Sequence, residues 1–496
     1  MTLTAPDPQT KTHGSGPTGQ DLLDLQRAAY RRDPIPDLAT RLERLERVEA
    51  MLVAHADEFA EAMRRDFGSR PAVLSVATEI VGTLPDIAHM RKHLARWMKV
   101  KKLNPVTGRT SIAARLRRDP LGVVGVIGAW NFPVQLSILP AATALAAGNR
   151  VVIRPSELTP ASAQALADAV ARWFDPEVLA VVLDEITSGP EFSQLKFDHL
   201  FFTGSPRVGA LVGQAAAANL VPHTLELGGK NPTIVHAEAD VTKAAAQIAR
   251  TRLLNGGQVC LCPDYVWVPN TVKDQFVAGV LDTWRTMAPT IRTNPEYTSL
   301  VNASNYERVV GLIDDAVAKG AVRHDTAPTG ESLPDPVSRK VAPTVLTGVD
   351  ESMMIDSEEV FGPVLAVYGY DYIDEPVEHI ASRPSPLTMY WYGPDNADFE
   401  WVQNHTRSGS VNAGDFAPHM VVSDLPFGGV GNSGYGAYHG EAGVNTVTHA
   451  RAVALANMPV SLAAMTTPPF TRSTKLVNKL QLSQVRRRTK KIRPLR

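Results

Sequence analysis

The sequence contains only two cysteines, Cys260 and Cys262, among 496 residues. Residues two apart on an extended chain face opposite sides, which argues against a disulfide between them. A single C-x-C pair supplies too few ligands for a zinc site, so we expect no bound metal. If either cysteine has a function, it acts as a free thiol.

Long apolar runs are also missing. No stretch approaches the roughly 18 to 20 apolar residues that cross a bilayer, and the first twenty residues lack the apolar core of a signal peptide. These absences predict a cytoplasmic protein. The 44% hydrophobic and 20% charged fractions are those of a globular protein, and a chain of this length predicts two or three domains.

The chain has little net charge. Its 50 basic and 51 acidic residues give −1, which predicts no nucleic-acid partner. The distribution is uneven, because residues 471–496 hold ten Lys and Arg and no Asp or Glu, leaving 40 basic against 51 acidic residues elsewhere. Leu476, Val477, Leu480 and Leu482 lie among these cations. This basic tail predicts either a helix that weakly contacts an anionic membrane surface or a solvated, disordered segment.

The spacing of apolar residues divides the first part of the chain. Residues 1–20 are rich in Pro, Gly, Thr and Ser and predict a disordered N-terminus. Apolar residues three and four apart then predict amphipathic helices over 21–31, 35–66 and 74–97. The basic, proline-bearing stretch 99–120 predicts a protruding connection or hairpin.

From Leu121 onward, short β-branched runs alternate with alanine-rich segments. Strands are predicted at 123–128, 151–154, 178–183, 200–203 and 224–227, and helices at 136–147, 161–173 and 207–218. A second series spans 240–405, with helices at 241–254, 272–284 and 306–319. Strands separated by helical crossovers predict an α/β fold with parallel sheets covered by helices on both faces.

Two loops of the first series have features of a nucleotide site. A strand ending at Thr203 runs into Gly204-Ser-Pro-Arg-Val-Gly209 and a helix, which leaves backbone N–H groups beside glycines that admit an anion. The spacing is not Gly-x-Gly-x-x-Gly, so a plain tight turn is the alternative. In the second loop, Arg154 and Glu157 follow a strand. They either bind ribose hydroxyls or lie on a solvated loop.

A cysteine that follows two glycines in the sequence is a candidate for a reactive side chain. In the segment Asn255-Gly-Gly-Gln-Val-Cys260, the glycines permit close backbone approach, and the Cys260 amide is placed to meet an oxyanion. A lone cysteine is more often a small buried hydrophobe than a nucleophile. Glu226, between leucines and before two glycines, supplies a second group. Burial raises a carboxyl pKa and makes it a useful base, whereas a buried structural Glu is the alternative.

Seven motifs, in order, resemble those of the NAD(P)-dependent aldehyde dehydrogenases. They are Trp130-Asn-Phe-Pro133, Arg154-Pro-Ser-Glu157, Phe202-Thr-Gly-Ser205, Glu226-Leu-Gly-Gly-Lys230, Gly257-Gln-Val-Cys260, Glu359-Val-Phe-Gly-Pro363 and Pro426-Phe-Gly-Gly429. The likeness covers residues 21–469. It is nearest to the class 3 and coniferyl aldehyde dehydrogenase branch, through the motifs Arg383-Pro-Ser-Pro-Leu387, Gly429-Val-Gly-Asn-Ser-Gly434, Tyr438-His-Gly440 and Pro468-Pro-Phe470. Chance agreement of seven ordered motifs is negligible.

The resemblance implies oxidation of an aldehyde to a carboxylic acid. Cys260, as thiolate, would attack the aldehyde carbon, while the Asn131 amide and the Cys260 backbone N–H hold the oxyanion. After hydride transfer to the nicotinamide, water deprotonated by Glu226 would hydrolyse the thioester. Two alternatives stay open. One is a thioester-forming acyltransferase or CoA-acylating reductase, which does not need Glu226, and the other is a catalytically idle binding protein on the same scaffold.

The resemblance also implies the cofactor contacts. They are Trp130 on the nicotinamide side, Gly204, Ser205 and Gly209 near the pyrophosphate, Arg154 and Glu157 near the adenine ribose, and Glu359 and Phe361 around the nicotinamide ribose. Position 154 departs from the family, which normally has Lys there. Glu157 would repel the 2′-phosphate of NADP and Arg154 would attract it, so we expect NAD to be preferred and NADP to be accepted.

The implied architecture has a Rossmann-like cofactor domain, an α/β catalytic domain and a small oligomerisation part. The predicted boundaries are 21–99 and 120–226 for the cofactor domain, with 420–440 returning to it, 227–419 for the catalytic domain, 100–119 and 441–470 for oligomerisation, and 471–496 for the basic tail. Exposed strand segments need a partner edge, so we expect a homodimer. The small-molecule partner is the aldehyde substrate.

Overall fold

The computed structural model describes residues 16–103, 112–456 and 461–492. Most of the predicted disordered N-terminus and the middle of the predicted hairpin therefore lie outside the described residues. The chain forms two compact units, a large one of residues 1–98 and 119–449 and a small one of residues 99–118 and 450–496.

The secondary structure alternates between helices and short strands. In the described residues the strands are β1 Lys101–Leu103, β2 Ile112–Pro120, β3 Val123–Ile127, β4 Arg150–Arg154, β5 Leu179–Val181, β6 His199–Gly204, β7 His223–Leu227, β8 Pro232–Val235, β9 Tyr265–Pro269, β10 Val322–Asp325, β11 Thr344–Thr347, β12 Val364–Tyr370, β13 Thr388–Tyr392, β14 Ser410–Ala413, β15 Gly434–Tyr435 and β16 Thr448–Ala456. The helices are α1 Gly19–Arg32, α2 Leu38–Ala54, α3 Ala56–Phe67, α4 Ala72–Ser75, α5 Leu84–Trp97, α6 Gln135–Ala146, α7 Pro160–Trp173, α8 Gly189–Ser193, α9 Pro206–Ala218, α10 Val241–Leu253, α11 Lys273–Met287, α12 Ala303–Ala318, α13 Met354–Ser357, α14 Asp374–Ala381, α15 Ala397–His405, α16 Pro418–Val421, α17 Gly440–Thr446 and α18 Arg472–Thr489.

The N-terminal helices differ from the prediction at three points. Helix α1 begins at Gly19, inside the segment predicted to be disordered, because Thr18 caps it: the Thr18 side chain accepts from the Asp21 N–H and the Asp21 carboxylate accepts from the Thr18 N–H. The helix predicted over 35–66 is broken at His55. The helix predicted over 74–97 instead contains a π-helical segment, Val76–Val81, before α5.

The first sheet of the large unit has six strands in the order β15-β7-β6-β3-β4-β5. All neighbours are parallel except β15 and β7. The chain builds β3, β4 and β5 towards one edge and then returns to the other side of β3 with β6 and β7. This reversal places a topological switch point between β3 and β6, where open α/β sheets bind ligands beyond the carboxyl ends of their strands.

The second sheet has seven strands in the order β10-β11-β12-β9-β8-β13-β14, with β10 and β11 antiparallel and the other neighbours parallel. The chain passes from the first sheet to the second between β7 and β8, and it returns to the first sheet at β15. Strands β3, β4, β9 and β13 are buried along their whole length, as expected for parallel strands covered on both faces.

The small unit contains a three-stranded sheet in the order β1-β2-β16 and the helix α18. Helix α18 lies in the predicted basic tail, and Leu476, Leu480, Leu482 and Val485 are exposed along it. Positions four apart, such as Leu476 and Leu480, share a face, but Leu482 lies on nearly the opposite side from Leu480. The helix therefore has no single apolar face.

No single helix of the described residues is both long and apolar enough to cross a membrane. Only a pair bent by 119°, Ala56–Phe67 with Ala72–Trp97, reaches the required length and composition when the two are taken together.

Candidate active site

The carboxyl ends of the first-sheet strands bring most of the predicted site residues together. These residues are Trp130 and Asn131 after β3, Arg154 and Glu157 at and after β4, Gly204 and Ser205 at and after β6, and Glu226 in β7. Because neighbouring parallel strands end at the same edge, the side chains converge. With Cys260, Glu359 and Phe361 they line one cavity of about 1510 Å³.

The loop that carries Cys260 is shaped by three consecutive residues in the left-handed conformation, 255–257. At Gly257 a Cβ would stand 2.2 Å from the carbonyl oxygen of Gly362, so only glycine fits there. The Asn231 amide donates to the Cys260 carbonyl oxygen at 2.6 Å. These contacts fix the backbone of Cys260, whose side chain lines the cavity.

The Cys260 thiol lies in surroundings that oppose its ionisation. Burial raises the pKa of Cys260 far above its ordinary value, and the negative charges of Glu359, Cys262 and Glu226 raise it further. The thiol form therefore prevails at neutral pH in the free protein. Positive charge arriving in the cavity would favour the thiolate.

Glu226 is 3% exposed, and neither of its carboxylate oxygens has a hydrogen-bond partner among the described residues. Burial raises the pKa of Glu226 well above its ordinary value. A Cβ at Gly428 would lie 3.2 Å from Oε1, so the glycine leaves room beside the carboxylate. A buried carboxylate with both oxygens free is suited to accepting a proton from a water molecule.

The Asn131 side chain points towards the Cys260 loop. Its Nδ2 donates to the carbonyl oxygen of Gln258 at 3.2 Å. Its own carbonyl oxygen accepts from Arg70 at 2.8 Å and from the Asn255 amide at 3.1 Å. Asn131 is therefore held through both its backbone carbonyl and its side chain. The side chain contacts Gln258, which lies two residues before Cys260 on the facing loop.

A second end of the cavity combines two aromatic rings and a carboxylate. The rings of Trp130 and Phe361 meet edge to face, with centroids 5.3 Å apart, and Phe361 adopts a left-handed backbone conformation with φ 47°. A Cβ at Gly228 would stand 2.2 Å from Glu359 Oε2, so that carboxylate lies directly over the glycine. Burial raises the pKa of Glu359 to about 8. Arg308 donates to the Glu359 carbonyl oxygen at 3.0 Å and holds this segment in place.

The two predicted pyrophosphate glycines differ in position. Ser205 caps α9, its hydroxyl accepting from the Val208 N–H at 3.3 Å, and Gly204 and Ser205 both line the cavity. Gly209 does not line it. A Cβ at Gly209 would lie 2.5 Å from Leu227 Cδ2, so this glycine allows α9 to pack closely on β7. The structure thus assigns Gly209 to packing rather than to the cavity wall.

At the predicted adenine-ribose end, Arg154 is already paired. It donates to Glu157 Oε2 at 2.8 Å from one guanidinium nitrogen and to Asp184 Oδ1 from the other. Its side chain is only 5% exposed. Sequence reasoning missed Asp184, although an acidic residue three positions after strand β5, at the same sheet edge, is a signal that could have found it.

The cavity fits a dinucleotide. Its walls include the capped N-terminus of α9, which suits phosphate, and the unpartnered oxygens of Glu226. Carboxylates that suit ribose hydroxyls stand at both ends, Glu157 with Asp184 at one and Glu359, beside Trp130 and Phe361, at the other. Among the described residues there is no group of three or more His, Cys, Asp or Glu that could hold a metal ion.

Comparisons with known proteins agree with this geometry. The sequence pattern of the aldehyde dehydrogenase family matches residues 27–453. A probable coniferyl aldehyde dehydrogenase of Caulobacter vibrioides is 42% identical over 436 residues, 87% of this chain and 90% of that protein.

Two solved structures are similar. Staphylococcus aureus AldH in a substrate-bound state is 32% identical with a TM-score of 0.85, over 93% of this chain and 99% of that one. A Mycobacterium tuberculosis aldehyde dehydrogenase complexed with NAD+ is 27% identical with a TM-score of 0.79, over 90% and 92%. Three observations agree. The family pattern covers most of the chain, the similar folds belong to the same family, and one cavity contains a thiol, a buried carboxylate and residues suited to a nucleotide. The chain belongs to the aldehyde dehydrogenase family and is an NAD(P)-dependent oxidoreductase of aldehydes.

Proposed function

We propose that Cys260, Glu226 and Asn131 carry out the oxidation as nucleophile, base and oxyanion donor. The observation that carries this proposal is their convergence in one cavity with the residues suited to a dinucleotide. Burial raises the pKa of the Glu226 carboxyl, which suits that group to accept a proton from water.

We propose that Ser205 and the α9 N-terminus hold the pyrophosphate, that Glu157 with Arg154 and Asp184 meets the adenine ribose, and that Glu359 meets the nicotinamide ribose. Bound NAD(P) supplies the hydride acceptor. Trp130 and Phe361 flank the nicotinamide side of the cavity and exclude water there. Apart from the aldehyde, the cofactor and water, every group in the proposed reaction belongs to this chain.

Once the Cys260 thiol has lost its proton to solvent, the sulfur bonds to the aldehyde carbon, and the carbonyl oxygen becomes an oxyanion. The Asn131 Nδ2 and the Cys260 backbone N–H donate to that oxygen. Loss of hydride from the carbon leaves a thioester on Cys260. Glu226 then takes a proton from water, whose oxygen attacks the thioester carbon. The carbon–sulfur bond breaks, the acid leaves and the thiolate is restored.

We propose an aromatic aldehyde of the cinnamyl type as the substrate class. The name of the Caulobacter vibrioides relative points to coniferyl aldehyde. Phe427 and Tyr438 line the cavity with Cys260, and their ring centroids are 5.1 Å apart. Phe427 also stacks on His419 at 5.5 Å and on His439 at 5.4 Å. Flat rings beside the thiol suit a conjugated, planar substrate.

The test of the chemistry uses two variants. Cys260→Ala should abolish turnover, whereas Glu226→Gln should form NADH once per site and then stall as a thioester. Adding CoA to the Glu226→Gln variant separates the acyl-transferring alternative. A hydrolytic enzyme stalls when the base is removed, whereas an acyl-transferring enzyme passes the acyl group to CoA and continues to turn over. Steady-state activity at the unmodified level in either variant contradicts the assignment. For the substrate class, kcat/KM for cinnamyl-type aldehydes should exceed that for short and long aliphatic aldehydes.

We also propose a cytoplasmic homodimer in which the first sheet binds the cofactor, the second carries the catalytic loop and the small unit supports assembly. Strands β1 and β16 form the two edges of the small sheet, and most residues of both strands are exposed. Unpaired edges favour pairing with a second copy. Light scattering should therefore give about twice the chain mass of 53.6 kDa, and a single-chain mass would contradict the proposal.

A further inference from the structure

Two buried charged residues lie behind the loop that carries Asn131. Arg70 and Glu79 pair at 2.9 Å, and neither side chain is exposed to solvent. Neither residue belongs to the motifs that indicated the catalytic site. Arg70 lies between α3 and α4, and Glu79 lies in the π-helical segment Val76–Val81 that follows α4.

Arg70 holds the first end of the loop. One guanidinium nitrogen donates to the Asn131 carbonyl oxygen at 2.8 Å while the other binds Glu79. The guanidinium also lies over the rings of Phe67, at 4.8 Å, and Phe132, at 5.4 Å. The plane of the Arg70 side chain is therefore fixed, and with it the direction in which the Asn131 backbone is held.

Glu79 holds the other end of the loop. Its Oε2 accepts from the Val134 N–H at 3.0 Å and from the Gln135 N–H at 2.8 Å, where α6 begins. Burial raises the pKa of Glu79 to about 7, against the opposing effect of Arg70. One ion pair thus grips both ends of the five-residue segment 131–135.

A buried ion pair is a poor way to gain stability, because removing two charges from water offsets most of their attraction. Its advantage is geometric: the planar guanidinium donates to two different acceptors, and the carboxylate accepts from Arg70 and from two backbone N–H groups, so each side chain is confined to a narrow range of positions. The segment held here contains the side chain that we place at the oxyanion.

We propose that Arg70 and Glu79 are positioning residues that aim the Asn131 amide at the oxyanion. The inference rests on the proposed role of Asn131. Arg70 and Asn255 donate to the same Asn131 carbonyl oxygen, one from each side, so losing Arg70 leaves that peptide free to turn about the Asn255 contact. A small rotation there moves Nδ2 away from its place beside the Cys260 loop.

A double-mutant cycle tests the proposal. Asn131→Ala should lower kcat by about 10²- to 10³-fold, the usual loss of one oxyanion donor. Arg70→Met should lower kcat by about 10- to 100-fold with little change in KM, as expected for a misplaced catalytic group. Combined, the two should lose no more than Asn131→Ala alone, within about twofold. NADH binding, followed by fluorescence, should be unchanged in Arg70→Met.

The control is Arg41→Met. Arg41 is also a buried arginine that donates to backbone carbonyls, those of Pro36 and Ala147. Arg41→Met should therefore change kcat by the same factor whether residue 131 is Asn or Ala. Glu79→Gln completes a second cycle if Arg70→Met does not fold. Losses that multiply in the Arg70 cycle, or in the Glu79 cycle where Arg70→Met does not fold, overturn the positioning role. An Asn131→Ala variant with unchanged kcat instead overturns the proposed oxyanion role.

Discussion

Arg154 donates to Asp184 from one end of its guanidinium group while the other end holds Glu157. Two carboxylates already pair with this guanidinium, and the three side chains together carry one net negative charge. A 2′-phosphate entering this end of the cavity would meet repulsion before it could compete for Arg154. If the adenine ribose binds here as proposed, we expect the arrangement to favour NAD over NADP more strongly than Glu157 would alone.

Removing either carboxylate should move cofactor preference towards NADP. We expect Glu157→Gln and Asp184→Asn each to shift the ratio of kcat/KM values towards NADP by about tenfold, equivalent to about 1.4 kcal/mol. Arg154→Ala should shift it towards NAD, because it leaves two unneutralised carboxylates. Asp168→Asn, the same charge change on the exposed face of α7, serves as control. A ratio that stays constant in all three site variants would show that these residues do not read the ribose.

Alkylation of Cys260 should report its suppressed ionisation. Because burial raises the thiol pKa, the thiolate fraction in the free protein should rise about tenfold per pH unit from pH 7 to pH 9, without levelling off near the ordinary thiol pKa of about 8.5. Saturating NAD should increase the rate at pH 7, because a cationic ring near the thiol favours the thiolate. The measurement is iodoacetamide labelling followed by mass spectrometry, with Cys260→Ala as the background for Cys262. A plateau below pH 8 in the free protein would contradict the prediction.

Gly209→Ala should affect stability more than cofactor affinity. The new Cβ would press on Leu227, and overpacking of this kind costs about 1 to 3 kcal/mol. Adding Leu227→Ala should relieve part of the strain, so the double variant should be less destabilised than the sum of the two single changes. Gly311→Ala in α12 is the matched control, because nothing lies within 4 Å of its Cβ. Thermal unfolding measures all four; a raised KM for NAD with an unchanged Tm would instead place Gly209 at the cofactor.

We expect any binding of the basic tail to anionic membranes to depend on charge. Helix α18 has no single apolar face, and near an anionic surface each cation contributes about 1 kcal/mol. The full chain should then co-sediment with phosphatidylserine vesicles at low salt, release at high salt and tolerate Leu480→Ser. A chain ending at residue 470 should not sediment. Equal sedimentation of the two chains rejects the lipid contact and leaves a solvated helix.

The sequence predicted five of the six strands of the first sheet, β3 to β7, to within about two residues, because short β-branched runs such as 151–154 are bounded by turns and alanine-rich helices. It did not predict the two-residue strand β15. It did not predict the break at His55, since helical spacing of apolar residues continues through that position. It also did not distinguish Gly204, which lines the cavity, from Gly209, which packs on Leu227. Both follow the same strand, and only the position of β7 separates their roles.

For the site, resemblance identified the side chains that now share a cavity, Cys260, Glu226 and Asn131 among them. Arg70, Glu79 and Asp184 were missed. Each contacts a partner distant in sequence, as Asp184 does with Arg154, and no local sequence pattern marks such a contact. Contacts between residues that are distant in sequence become apparent only once the tertiary structure is known.

The strand beside Glu226 comes from more than 200 residues later in the chain: Gly434 of β15 pairs with Glu226 of β7, and a Cβ at Gly434 would stand 1.8 Å from the Leu225 carbonyl oxygen. During synthesis, Cys260 and the whole second sheet therefore emerge before the neighbour of β7 exists. Until then β7 is the exposed edge of its sheet. Cys260 is made early and the surroundings of Glu226 are completed late, so a nascent chain stopped before Gly428 should bind a β-strand peptide or a chaperone at β7 while showing no turnover.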